Sequence, residues 1–316
     1  MLDHQFLSWD LEDFVAILPL PGNAYLYQGN SFQIFVREGQ PFPTDKLEFL
    51  LGQNIKMLFI KRSDEDKFKA WLIHGLETEK QSLILAVGEE NQKLVENHLS
   101  IKRDILSFVT GNVTEEKLKS VLNKTKKFIE FVQEKKCGKY LDRLLNLHNT
   151  LADHSMNVAN IATYLALCAG INASADLEII YLGAILHDFG KTKIFKDPNL
   201  KIGSNAYVDA MRKHPAIGRS YLFFDGSLPK SILDIVEQHH EHHDGSGTPN
   251  GLKGDHITLF AQIVGFSNAF ENLMILQIGS KSERQRKALD VLAQDRGTLF
   301  ESRLKNTLVK ALELVI

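Results

Sequence analysis

Cysteine is scarce in this 316-residue chain: only Cys137 and Cys168, far apart in sequence. That argues against a disulfide-held scaffold and fits a reducing compartment. An excess of either charge is also lacking. Lysine and arginine number 37 against 39 acidic residues, a net charge of −2, so no global positive field points to a nucleic-acid polymer as partner. The first residues, MLDHQFLSWDLEDF, include acidic side chains and no basic n-region, unlike a secretory signal. No apolar run approaches the ~18 residues that span a bilayer. Repeats and low-complexity segments are missing too. These absences predict a cytoplasmic protein with no membrane span. What remains, 44% hydrophobic and 24% charged residues, suffices for about two globular domains.

The expected fold class is mainly α: a small α+β N-terminal domain, residues 1–138, followed by an all-helical bundle, residues 139–316. Tyr25–Gln28 and Phe32–Arg37 are aromatic and β-branched between turn residues, which suits strands. Ile55–Arg62 is a third strand candidate, and Thr44–Gln53 a short capped helix. From about residue 76 the pattern turns helical. Leu118, Val121, Leu122, Phe128, Ile129, Phe131 and Val132 line one face of a helix over 114–136. Further helices are predicted near 139–148, 151–169, 175–187, 207–222, 228–243, 255–279, 281–294 and 298–315. The isolated His4 and His74 read as structural or surface residues. The N-terminal part carries no catalytic constellation and reads as a regulatory or interaction module.

Eight of the twelve histidines fall between 154 and 256. Five places there are candidates to meet in space: His154; His187 with Asp188; His214; His239 with His240; and Asn268 with Glu271. Imidazole and carboxylate donors without thiolates suit a first-row metal, and a pair of metals needs about this many ligands, with one carboxylate shared. His187 and Asp188 end an apolar, buried segment. Gly190 then lets the backbone turn, and Lys191 supplies a cation able to hold a phosphate oxygen. Two other patterns fail. A P-loop ending in GKT at 190–192 needs a glycine where Ile185 stands, and a zincin helix starting at His240 needs a histidine where Asp244 stands.

HDFGK (187–191), HPAIG (214–218) and HHEHHDGSGTPNGLKG (239–254) follow one another at helical-domain spacing. In this the chain resembles the HD-GYP family of the HD superfamily, over about residues 145–315. The resemblance implies a metal-dependent phosphodiesterase that hydrolyses cyclic di-GMP to the linear dinucleotide. It implies two divalent ions, iron first and manganese next. It implies His154, His187, Asp188, His214, His239, His240 and Asn268 as ligands, with Asp188 bridging. Asp188 and Lys191 are the implied catalytic residues, Lys191 on a substrate phosphate. Glu241, Asp244 and Glu271 are expected to support ligands or loop from behind. Gly245, Gly247, Gly251 and Gly254 are expected to shape the turn through positive φ, with Thr248 on the substrate side.

The sequence departs from the family pattern in four places. Thr248 stands where the family has the tyrosine of its name. Asn268 stands where a metal-binding aspartate is usual, and Glu271 lies one turn on. Thr150 replaces a glutamate that holds a third metal in some members, so two metals are expected. The arginine-rich stretch after the later helix reads ILQIGSKSER, its basic residues displaced to Lys281 and Arg284. These departures keep a second reading open. In it, the domain bears metal without turnover and senses a cyclic dinucleotide, or docks a signalling partner through the Gly245–Gly254 loop. A third is a phosphohydrolase acting on another nucleotide.

Overall fold

The computed structural model describes residues 5–316 except 11–13, 15–17, 29–30, 44–49, 51–54, 56, 111–113, 137, 146–150, 196–203 and 224–227; of 10, 106–110, 139, 142 and 195 it describes the backbone alone. The helix expected over Thr44–Gln53, His4, Cys137 and Thr150 therefore lie outside the described residues, Leu50 of that helix excepted.

Four strands, β1 (Phe6–Asp10), β2 (Ala24–Gln28), β3 (Ser31–Val36) and β4 (Met57–Lys61), form an antiparallel sheet in the order β1-β4-β2-β3. Three of them match expected strands. β1 was not anticipated, and it pairs with β4 from Phe6↔Lys61 to Asp10↔Met57. Alternation along β4 buries Leu58 and Ile60, so one sheet face meets Phe14, Phe68 and Trp71 in a small core.

The rest is helical. α1 (Glu65–Val87), α2 (Gln92–Thr110) and α3 (Glu115–Glu134) come first. The Thr114 hydroxyl accepts from Lys117 N and starts α3. α3 buries Leu118, Val121, Phe128, Ile129 and Val132, the face expected from their spacing, each contributing about 1.5–3 kcal/mol. A 3₁₀ segment, Gly138–Leu144, leads to α4 (Leu151–Cys168), α5 (Ser174–Leu186) and the short α6 (Phe189–Phe195). Then follow α7 (Asn205–Arg212), α8 (His214–Leu222), α9 (Lys230–Gln238), α10 (Leu259–Leu276), α11 (Lys281–Ala293) and α12 (Ser302–Glu313).

Two helix boundaries differ from expectation in ways that matter for the site. The pattern over 207–222 is split at Lys213, with Pro215 in the first turn of α8, where its missing N–H costs nothing. α9 stops at Gln238, which leaves His239 at its C-cap and His240 just beyond. The expectation about long apolar runs also needs correction. α10 is 18 residues long with a mean hydropathy of 1.3, enough by length and composition to cross a membrane. Here 56% of it is buried inside the protein, Ser267, Asn268 and Glu271 included.

One apolar core extends from Leu83 of α1 to Leu312 of α12, so α1–α3 share it with the histidine-bearing helices. The small core beneath the sheet also reaches this body. Leu151 of α4 belongs to it, and Tyr207 and Met211 of α7 pack against it. A buried ion-pair group adds a polar tie. Lys102 Nζ of α2 lies 2.5 Å from Glu79 Oε1 of α1 and 2.7 Å from Asp153 Oδ1 of α4. Burial alone would depress the Lys102 amine, but Asp153 and Glu79 outweigh it and hold its pKa above the ordinary value.

Candidate metal centre

Three helix C-termini converge on one point, and each aims an imidazole at it. His187 caps α5, His214 follows the last turn of α7, and His239 caps α9. In each ring Nδ1 reaches back to the carbonyl three residues earlier: His187 to Ala184 O at 2.6 Å, His214 to Met211 O at 2.6 Å, His239 to Val236 O at 2.8 Å. A carbonyl only accepts, so Nδ1 carries the proton and donates. In the neutral ring Nε2 then keeps its lone pair. Local helix-end chemistry thus sets the tautomer.

Asp188 lies at the centre, 1% exposed. Its two oxygens divide the histidines. Oδ2 is 3.4 Å from His154 Nε2 and 3.3 Å from His187 Nε2. Oδ1 is 2.9 Å from His214 Nε2 and 3.7 Å from His239 Nε2. Two clusters with donor atoms within 4.8 Å result, His154–His187–Asp188 and Asp188–His214–His239–His240, with Asp188 in both.

The donors fit a pair of cations. Asp188 Oδ1 is buried and accepts no hydrogen bond, although His214 Nε2 is within 2.9 Å. With both atoms bearing lone pairs, the contact needs a positive charge between them. The same holds for the Nε2 pair of His214 and His239 at 3.3 Å; His154 Nε2 lies 3.1 Å from His187 Nε2. Burial depresses His187, His239 and His240, the last to about 3, so these rings stay neutral and able to ligate. Burial would raise Asp188, but the Lys191 ammonium beside it and a hydrogen bond from His154 hold it well below the ordinary carboxylate value.

His154 differs. Burial alone would depress it, yet Glu271 and Asp188 raise it to about 9. Glu271 Oε2 meets His154 Nδ1 at 2.6 Å, and Asn157 Nδ2 donates to Oε1 at 3.0 Å. This carboxylate–histidine pair orients the ring from behind. Asn157 was not singled out in the sequence, though it lies on the same face of α4, three residues after His154. Asn268 is buried one turn before Glu271, and its Oδ1 accepts from Asn272 Nδ2 at 2.7 Å. Lys191 Nζ reaches Asp188 Oδ2 at 2.6 Å.

Gly190 is helical rather than a turn residue. A Cβ there would meet His214 O at 2.0 Å, so glycine lets α6 approach the start of α8. In the loop after His240, Gly245, Gly251 and Gly254 have positive φ as expected. Gly247 does not. It is required because a Cβ would come within 2.2 Å of His242 N. Glu241 braces this loop by accepting from Asn250 N and Leu252 N, at 2.7 and 2.9 Å. Asp244 Oδ1 accepts from Ser246 N. Thr248 N donates to His240 O, and a cis bond joins Thr248 to Pro249. Arg284, one of the displaced basic residues, donates Nε to Gly279 O beside its own helix.

A family model described as HD domain matches residues 151–273, from the first residue of α4 into α10. That segment is similar to HD domains. Several curated relatives align with part of the chain. The cyclic di-GMP phosphodiesterase response regulator RpfG of Xanthomonas campestris pv. campestris is 28% identical over 234 residues, covering 72% of this chain and 57% of that protein. The 3′3′-cGAMP-specific phosphodiesterase 1 of Vibrio cholerae is 31% identical over 126 residues, 38% of this chain and 28% of that one. The chain thus spans little more than half of the first relative and less of the other. Among solved structures, Bd1817, an HDG"Y"P protein from Bdellovibrio bacteriovorus, shares the fold with a TM-score of 0.62 at 19% identity, over 98% of this chain and 99% of that one.

Proposed function

We propose that the protein is a metal-dependent phosphodiesterase that opens cyclic di-GMP to the linear dinucleotide. The carrying observation is the Asp188 carboxylate, buried and short of hydrogen bonds, with one oxygen turned to each histidine set. His154 and His187 would hold one divalent ion with Oδ2. His214, His239 and His240 would hold the other with Oδ1, and Asn268 would add a neutral oxygen. Iron is the first expectation and manganese the second, since imidazole and carboxylate donors suit both. When bound, the pair supplies Lewis acidity and lowers the pKa of a water.

The chain's own residues do the rest. Glu271 fixes the His154 ring and adds negative charge behind it. The Nδ1-to-carbonyl bonds fix three other rings, so the site is preorganised. Lys191, partly exposed beside Asp188, is the residue to take a phosphoryl oxygen. In the reaction the water oxygen bonds to phosphorus as the bond to the ribose 3′-oxygen breaks, and the leaving oxygen ends protonated. Balanced charge and few cysteines fit a cytoplasmic setting.

A second reading is favoured by Thr248 and Asn268, the loss of an aromatic ring and of a carboxylate. In it the domain binds metal and a cyclic dinucleotide without turnover, and the exposed Gly245–Gly254 loop docks a signalling protein. Chromatography of cyclic di-GMP after incubation with Fe²⁺- or Mn²⁺-loaded protein separates the readings. The His187→Ala/Asp188→Ala variant is the control. Turnover abolished in the variant supports the enzyme. No turnover by protein holding two metals per chain sinks it for this substrate.

A further inference from the structure

Beside the metal centre an open cleft of ≈ 390 Å³ is lined by His214, His240 and Thr248 on one hand and by Tyr207, Val208, Met211 and Arg212 of α7 on the other. We propose that this cleft is a nucleobase pocket and that Arg212 reads guanine in it. The inference rests on the reading of a cyclic dinucleotide as substrate.

The lining decides what the cleft suits. Tyr207, Val208 and Met211 give it an apolar side, and Tyr207 and Met211 are backed by the small N-terminal core, so that side is firm. A mostly apolar cleft with few polar groups favours a flat base over a bare phosphate. Thr248 puts a small side chain where a tyrosine would fill space, and its backbone is tied to His240 O. The pocket therefore opens directly onto two residues of one metal cluster, His214 and His240, whose rings lie 5.1 Å apart. A base held there keeps its nucleotide beside the reacting phosphate.

Arg212 supplies the selectivity. It is exposed, and among the described residues no carboxylate pairs with it. Arg219 and Lys191, by contrast, are paired, Arg219 with Asp234 and Glu237 and Lys191 with Asp188. Arginine presents donors in a rigid fork. Guanine offers two acceptors, N7 and O6, on one edge and matches that fork. Adenine places an amino donor in the same position and is disfavoured. Among the residues lining the cleft, Arg212 alone carries a guanidinium.

The test compares wild type, Arg212→Ala and Arg212→Lys, each loaded with Mn²⁺, on cyclic di-GMP and cyclic di-AMP. Binding of GMP and AMP is followed by calorimetry alongside. The expected result is a KM for cyclic di-GMP raised about tenfold or more in both variants, with kcat less affected. The preference for guanine over adenine should fall by a similar factor. Equal losses on both substrates, with rescue by lysine, would mean a phosphate contact and overturn the proposal. Turnover indifferent to Arg212 overturns it while leaving the phosphodiesterase intact. Arg212-dependent, guanine-selective binding without turnover keeps the pocket and removes the hydrolysis. Neither binding nor turnover removes both.

Discussion

Asp188 Oδ1 and His214 Nε2 face each other at 2.9 Å without a hydrogen bond between them. Both are acceptors once His214 Nδ1 has donated to Met211 O. Replacing Asp188 by Asn keeps the volume but removes the shared charge. The Asp188→Asn protein should bind fewer than the expected two ions and lose turnover by orders of magnitude. Elemental analysis after gel filtration measures the first, and two tightly held metals in the variant would refute the bridging role.

Glu271 gives a graded prediction. Glu271→Gln keeps a partner for His154 Nδ1 but removes the carboxylate charge 2.6 Å away. Metal affinity should fall about 10- to 100-fold. Asn268→Asp should move the other way, since it restores an anionic oxygen on the same helix. Chelator competition on the two variants reads both signs.

Much of this site was legible because its ligand types are few and cluster in the sequence: His187 and Asp188 are adjacent, as are His239 and His240. The partners that tune them were not. Glu271 and His154 are 117 residues apart, and only the packing of α10 on α4 brings them together. The break between α7 and α8 was hidden because apolar spacing continues through Lys213, although Pro215 offered a signal. β1 was missed because Phe6–Asp10 makes sense only once paired with β4. Lys102 is another case: charged residues on amphipathic helices usually face water, and this one is buried between two carboxylates.

His98 sets an acid-side stability limit away from the candidate metal centre. It is buried, and burial, with Lys102 nearby, depresses it from 6.5 to about 3. The unfolded chain therefore binds a proton that the folded chain refuses between those values. Stability from this group is complete above about pH 6.5 and falls as pH drops towards 3, by up to about 1.4 kcal/mol per pH unit. His98→Gln should flatten that slope by about one proton. Urea titrations between pH 4 and 7 measure it, and an unchanged slope would show that His98 does not contribute.

Gly190→Ala tests the close approach of α6 to α8. The added methyl would meet His214 O at 2.0 Å and Gly218 N at 2.8 Å, both backbone atoms that cannot swing aside. The expected outcome is a loss of about 1–3 kcal/mol together with weaker metal binding, because His214 moves with its backbone. Thermal melts with and without Mn²⁺ separate the two effects: a variant destabilised equally in both conditions would mean that His214 had kept its place.

Tyr207 and Met211 line the cleft on one side and rest on the small sheet-covered core on the other. Whatever occupies the cleft therefore shares its binding energy with that core. Linkage makes the exchange reciprocal: an occupant should slow local opening of the sheet, and an effector that loosens the sheet should loosen the occupant by the same factor. By this linkage the N-terminal module should bias the pocket, although among the described residues it lends the lining no side chain.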